Sequence, residues 1–203
     1  MFRLVVLTAP TAPPEEPRLL TELLATGLER LHLRKPSWPA EALENLIEAL
    51  PVQFHSRLVL HGHPELVRRY GLGGLHLTAS QRATIMRRPA LLPGQTLSTS
   101  FHSLAEIARA RRRYNYVFLS PIFDSLSKAG YASNFDLTTV RAFLQKRAAS
   151  PTRQPQVVAL GGIDSQTSKL ARTAGFAGAA VLGAIWQSPD PVAAFRELRV
   201  GLG

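Results

Sequence analysis

Four short stretches carry the residues best suited to chemistry in this chain. They are Leu31–Arg34 (LHLR), Arg57–His61 (RLVLH), Gly74–Thr78 (GLHLT) and Thr96–His102 (TLSTSFH). As strands, they would put His32 with Arg34, His76 with Thr78, and Ser98 with Ser100 and His102 on common faces. Five of the six histidines lie on or just after such stretches, and His55 is the exception. Imidazole exchanges protons near neutral pH and also ligates transition metals. One reading of these histidines is therefore proton transfer, and a second is a histidine-held zinc ion. A third is structural, with the rings hydrogen-bonded to one another, to backbone or to a bound anion. No HExxH spacing is present, and His61-Gly62-His63 is a pair that loops often produce, so no metal site is assigned.

Paired glycines point to phosphate binding, and two further polar groups stand near the strand ends. Ala159–Ile163 (ALGGI) ends an apolar run on Gly161-Gly162, and a second run ends on Leu182-Gly183. Backbone N–H groups approach a phosphate closely only where no side chain intervenes. Lys35 follows Arg34, which adds cationic charge next to His32. Ser125, Ser127 and Lys128 stand in a loop after Ser120-Pro121. Gly130 would serve that loop as a hinge.

The elements that must position these groups alternate along the whole chain. Strand patterns lie at Phe2–Thr8, Leu31–Arg34, Arg57–His61, Gly74–Thr78, Thr96–Phe101, Tyr116–Ile122, Gln156–Leu160 and Ala177–Leu182. Helix patterns follow each of them: Glu16–Ala25, Pro39–Leu50, Pro64–Tyr70, Ser80–Arg88, Leu104–Arg113, Leu137–Ala148, Gln166–Thr173 and Pro191–Val200. Eight strand-then-helix units predict an α/β fold, a single (β/α)₈ TIM barrel spanning residues 1–203 as one domain. Active sites of such barrels lie at the C-terminal strand ends, where the groups above fall. No Gly-x-Gly-x-x-Gly follows the first strand, which argues against a dinucleotide-binding open sheet.

Bulk properties narrow the function classes. The 203 residues are 45% hydrophobic, enough for a real core, and hold no cysteine, which excludes disulfides and thiolate chemistry. Net charge is +10, but the basic clusters Arg68-Arg69, Arg87-Arg88 and Arg111–Arg113 are short and fall late in expected helices. There they complement the helix dipole, so no nucleic-acid partner is expected. No apolar run approaches the roughly 20 residues that cross a bilayer. No membrane partner is expected, and the location expected is cytoplasmic. A homodimer stays open.

Taken in order, these pieces resemble the thiamine phosphate synthase/TenI-like superfamily of small barrels. The resemblance runs over essentially the whole chain. It is carried by LHLR, GLHLT, SFHSLAEI, YVFLSPIFDSLSK, ALGGID and AAVLGAI, the fourth being the most specific. It implies a thiazole phosphate ligand, with phosphate on Gly161, Gly162, Leu182 and Gly183. It places Arg34, Lys35, Ser125, Ser127 and Lys128 against a second anion, with His32, His61, His76 and Ser100 lining the site. Two branches differ in chemistry. Synthases join a pyrimidine diphosphate to the thiazole phosphate and release diphosphate with Mg²⁺. Thiazole tautomerases move a proton and need no metal. The positions matching the synthase metal carboxylates are His61-Gly62 and about Ala79-Ser80, neither of them acidic. His102 matches the tautomerase histidine. The first expectation is therefore a tautomerase with His102 as acid and base and no cofactor. The alternatives are a Mg²⁺-dependent synthase and a non-catalytic phosphate sensor.

Overall fold

The computed structural model describes residues 2–11, 13–110, 114–124, 135–152 and 154–202. Eight parallel strands close into a barrel in chain order. They are β1 (Arg3–Leu7), β2 (Arg30–Leu33), β3 (Leu58–His61), β4 (Gly74–Leu77), β5 (Thr96–Phe101), β6 (Tyr116–Leu119), β7 (Gln156–Leu160) and β8 (Gly178–Val181), and β8 pairs back onto β1. The helices are α1 (Glu16–Ala25), α2 (Ala40–Glu48), α3 (Pro64–Arg69), α4 (Ala79–Thr84), α5 (Leu104–Arg109), α6 (Leu137–Ala148), α7 (Thr167–Thr173), α8 (Gly183–Trp186) and α9 (Pro191–Gly201).

The (β/α)₈ barrel expected from the alternation is the fold observed, and its side chains divide by strand parity. Leu31, Leu33, Leu58, Leu60, Leu75, Leu97, Val117 and Leu119 point outward and are fully buried in the core between strands and helices. Burying an aliphatic side chain of this kind stabilises the fold by about 1.5–3 kcal/mol. The opposite parity fills the barrel, where Val5, Leu7, Tyr116, Phe118, Val158 and Ala180 form a second, smaller cluster. His32, His76 and Ser98 are buried on the same inner side.

Helix starts follow capping chemistry legible in the sequence. The Asp136 carboxylate accepts from Thr138 and Thr139 N–H at the start of α6, and Asp190 does the same for Val192 and Ala193 in α9. Thr78 and Gln81 form a reciprocal capping box at α4. Two helices are shorter than expected. The fourth ends at Thr84, so Arg87 and Arg88 lie beyond it, exposed. β-branched Thr84 and Ile85 are weak helix formers, and Pro89 disfavours helix at the residue before it. The fifth ends at Arg109, and Arg111–Arg113 lie outside the described residues. The short α8 and a 3₁₀ segment at Val52–Arg57 have no counterpart in the sequence reading.

Candidate functional site

A cavity of about 540 Å³ opens at the C-terminal ends of the strands. Of the residues singled out from the sequence, Arg34, Lys35, His61, His76, Ser100, His102, Gly161, Gly162, Leu182 and Gly183 all line it. Ser125, Ser127 and Lys128, and the Gly130 hinge with them, lie outside the described residues. His32 does not reach the cavity. It lies fully buried one layer below, inside the barrel.

Register explains how the polar groups meet. His61 pairs with His76, His76 with Ser98, and Ser98 with Tyr116 across β3, β4, β5 and β6. The His61 and His76 rings stack with centroids 4.1 Å apart and planes 18° apart. His61 Nε2 lies 3.0 Å from His32 Nδ1, and His32 Nε2 lies 2.7 Å from the Tyr116 hydroxyl. His76 Nδ1 meets the Ser98 hydroxyl at 2.9 Å, and its Nε2 meets the Ser100 hydroxyl at 3.1 Å. Phe118 packs beside both His32 and His76.

Burial is the main cause that holds these imidazoles neutral. It pushes the His32 and His61 pKa values well below the ordinary imidazole range, and electrostatic contributions from neighbours push the same way: from His76 and Arg30 on His32, and from His76, His32 and Arg34 on His61. For His76, burial together with Arg34 and Arg82 lowers the pKa to about 3. A neutral imidazole is donor at one nitrogen and acceptor at the other. The cluster is therefore a set of amphoteric hydrogen-bonding groups and does not supply cationic charge. The same three histidines form the one His-and-carboxylate group among the described residues whose ligand atoms lie close enough to share a metal ion. Both nitrogens of His32 and both of His76 already meet protein partners, which makes hydrogen bonding the reading the geometry favours.

Lys35 sits differently from the expectation. Its Nζ donates to Ala9 O at 2.8 Å, to Thr11 O at 2.6 Å and to the Glu16 carboxylate at 2.7 Å. Three donors are thus engaged, and the ion pair is buried on both sides. Burial raises the Glu16 pKa, against the hydrogen bond and charge of Lys35, which lower it. Lys35 therefore ties the β1 loop to the start of α1, presents its stem to the cavity, and has no free donor for an anion. Arg34 has no ion pair with a described residue, and its charge acts on His61 and His76. Of Arg34 and Lys35, the arginine and lysine among the described lining residues, it is the one without an ion pair.

His102 stands just past β5, exposed at the rim, with Nδ1 2.9 Å from Ser120 O. Its backbone N–H donates to Glu106 at 2.7 Å, and the Ser103 side chain caps α5. The ring is thus oriented by two neighbouring elements while it stays open to the cavity. Across the mouth, Gly161 and Gly162 have φ of 96° and 62°. A Cβ on Gly162 would come within 2.3 Å of Asp124 O, and one on Gly161 within 2.8 Å of Pro121. These glycines are needed for the close approach of the segment after β6 and also leave the cavity wall free of side chains. Gly183 and Ala184 open the short α8, whose Ile185 and Trp186 N–H groups bond Leu182 O.

Two other histidines serve the fold. His55 bonds Tyr70 O, Ile47 O and Leu50 O beneath α2, and His63 precedes α3 beside Glu65. Tyr116 and Glu16 were not among the site residues read from the sequence. Strand parity in YVFL would have placed Tyr116 inside the barrel with Phe118, whereas nothing local marks Glu16 as the partner of Lys35.

A profile of the thiamine monophosphate synthase family (TMP-TENI) matches residues 4–185. The chain belongs to the thiamine monophosphate synthase family. It is 28% identical over 183 residues to a thiamine-phosphate synthase of Serratia proteamaculans, covering 88% of this chain and 84% of that one. It is 27% identical over 175 residues to that of Photorhabdus laumondii, covering 84% and 79%. Among solved structures, a thiamine phosphate pyrophosphorylase from Bacteroides thetaiotaomicron superposes with a TM-score of 0.82 at 31% identity, covering 99% of this chain and 98% of that one. The names of these relatives fit the synthase alternative better than the tautomerase placed first from the sequence. No described helix is long and apolar enough to cross a membrane.

Magnesium, which the synthase branch implies, does not fit the residues of this cavity. Mg²⁺ takes oxygen ligands with near-octahedral geometry, carboxylates foremost. No Asp or Glu is among the described residues lining the cavity, and residues 125–134 contain none either. His61, Gly62, His76 and Ala79 line the cavity at the ends of β3 and β4, and none of them brings a side-chain oxygen.

Proposed function

We propose that the chain binds a thiazole phosphate in the barrel mouth and acts on it in thiamine biosynthesis. The reaction that the named relatives favour is thiamine phosphate synthesis: a pyrimidine diphosphate joins the thiazole phosphate and diphosphate departs. The observation that carries this reading is a family match over residues 4–185 that coincides with a cavity walled by Gly161, Gly162 and Gly183 and faced by Arg34. The thiazole phosphate would rest against the glycine wall. Arg34 would face the diphosphate, with Ser125, Ser127 and Lys128 supplied by the following loop. Lys35 is assigned to the fold, and His61 is too strongly desolvated to add positive charge. Purified protein with both substrates should form thiamine phosphate, measured by chromatography, with little dependence on added Mg²⁺. No product at high enzyme concentration sinks the synthase reading, and a strict Mg²⁺ requirement sinks the metal-poor site described above.

A second reading, thiazole tautomerisation, rests on one observation: the described cavity lining pairs an exposed, oriented His102 with no carboxylate. General acid–base catalysis by such a group contributes about 10²–10⁴-fold. Turnover of the dehydrothiazole phosphate carboxylate should then fall by at least about 10²-fold in His102→Ala. Wild-type turnover in that variant would remove His102 from the mechanism.

A further inference from the structure

The β2–β4 side of the mouth carries a hydrogen-bond donor beside Arg34. Strands β2, β3 and β4 are neighbours in the barrel. Arg34 follows β2, Gly62 follows β3, and Gln81 stands in the first turn of α4, just after β4. All three line the cavity. Gly161, Gly162 and Gly183 follow β7 and β8, across the eight-stranded ring. The mouth thus has two separate sides on which an anionic group could rest.

The Gln81 carboxamide is oriented from behind. The Thr78 backbone N–H donates to Gln81 Oε1 at 3.2 Å, and the Thr78 hydroxyl lies 3.3 Å from the same oxygen. A backbone N–H can only donate, so it must meet the oxygen and not the NH₂ group. In return, Thr78 Oγ1 accepts from the Gln81 backbone N–H at 3.3 Å, which completes the capping box. Held this way, Nε2 lies over Gly62: a Cβ at position 62 would come within 3.1 Å of it. Glycine at 62 leaves that space to the amide. Nε2 donates to none of the described residues.

The two ends of this side chain differ in what they attract. The oxygen, which could ligate a hard cation, is turned into the cap. The NH₂ group, which attracts phosphoryl oxygens and not metal ions, is the end left for a ligand. The neighbouring His61 and His76 imidazoles are neutral and add no cationic charge. Arg34 supplies charge on this side, and Gln81 can supply direction.

We propose that Gln81 is an anion-binding residue whose NH₂ group donates, beside Arg34, to the diphosphate of a pyrimidine diphosphate at the ends of β3 and β4. The assignment rests on the reading that the mouth takes that substrate for thiamine phosphate synthesis. It supplies a metal-independent contact on a side where no described lining residue brings a carboxylate. The thiazole phosphate, on the glycine wall opposite, is not its ligand.

Calorimetry with inorganic diphosphate, in EDTA and then in Mg²⁺, tests the contact together with nitrogen NMR of side-chain amides in the full chain. Glu serves a capping box as well as Gln does, so Gln81→Glu should keep the wild-type melting temperature while losing the donor. In EDTA its diphosphate affinity should fall by about 100-fold, and Mg²⁺ should recover part of that loss by bridging the new carboxylate to the anion. Gln81→Met, which removes the donor without adding charge, should lose about 10-fold. The wild type should gain nothing from Mg²⁺. Its Gln81 NH₂ signals, identified by their loss in Gln81→Glu, should move when diphosphate is added. A carboxylate also repels an anion from a distance, so the NMR shift and the neutral variant decide the contact. Unmoved NH₂ signals at saturating diphosphate, full affinity in Gln81→Met, or a loss in Gln81→Glu that Mg²⁺ leaves untouched would overturn the assignment. If Arg34→Ala still weakens binding in that case, the diphosphate reading stands and Gln81 alone is removed from it. A wild type that binds no diphosphate overturns both.

Discussion

The two sides of the barrel interior are built from different materials. On the side of β1, β6, β7 and β8, the inward positions are Val5, Leu7, Phe118, Val158 and Ala180. On the side of β2 to β5, they are His32, His61, His76, Ser98 and Ser100. Both sides lie inside the barrel, with His61 and Ser100 half-buried at its mouth, but they obey different rules. Apolar side chains need only volume and tolerate exchange at similar size. Buried polar groups must find partners, because each one left unpaired costs about 1–3 kcal/mol. The polar side is therefore the specified side: each ring there is oriented by the next, and Tyr116 bridges the two materials with an apolar ring and a polar tip.

The largest effect should come from breaking the polar side at its centre. His32→Leu removes the partner of both His61 and Tyr116, so denaturant unfolding should show a loss of about 2–6 kcal/mol from the two orphaned groups. Phe118→Leu, on the apolar side of the same layer, should cost about 1 kcal/mol. Equal losses would erase the distinction between the two sides. Lys35→Met sharpens it at the rim. It strands the buried Glu16 carboxylate, and the expected loss is about 3–5 kcal/mol, with little change in affinity for inorganic phosphate if Lys35 serves the fold.

Acid should weaken the same side next. Imidazoles in the unfolded chain titrate near pH 6.5, while burial lowers His32 and His61 well below that and His76 to about 3. The folded state then binds fewer protons than the unfolded one. Stability is complete above about pH 6.5 and declines as pH falls from there toward about 3. Melting temperatures measured from pH 7.5 to 4 should start to drop below about pH 6.5. A flat profile down to the carboxylate range near pH 4.5 would contradict the buried neutral cluster. The smallest stability effect belongs to Arg34→Ala. This partly exposed side chain should change stability by within about 0.5 kcal/mol, while calorimetry shows phosphate affinity falling about 10-fold.

Much of this was legible from residue order alone. Alternation of strand and helix patterns is local chemistry, so the barrel, its strand ends and most helix starts could be read directly. Parity in LHLR, GLHLT and TLSTSFH also placed His32, His76, Ser98 and Ser100 on the inner face. The helix ends at Thr84 and Arg109 were less legible: Thr84 and Ile85 only weaken the helix and Pro89 comes five residues later, while Ala110 and Arg111–Arg113 are good helix formers that give no local stop signal.

The sequence by itself determined that the chain makes eight strand–helix units and that imidazoles, hydroxyls and paired glycines crowd one end of the barrel, because side-chain periodicity follows backbone geometry. Only the tertiary structure decided which groups face the cavity. Lys35 turned to Glu16, 19 positions earlier, and His32 sank beneath His61 to meet Tyr116, 84 positions later. Register across closed parallel strands chooses such partners, and burial then requires each polar atom to keep one.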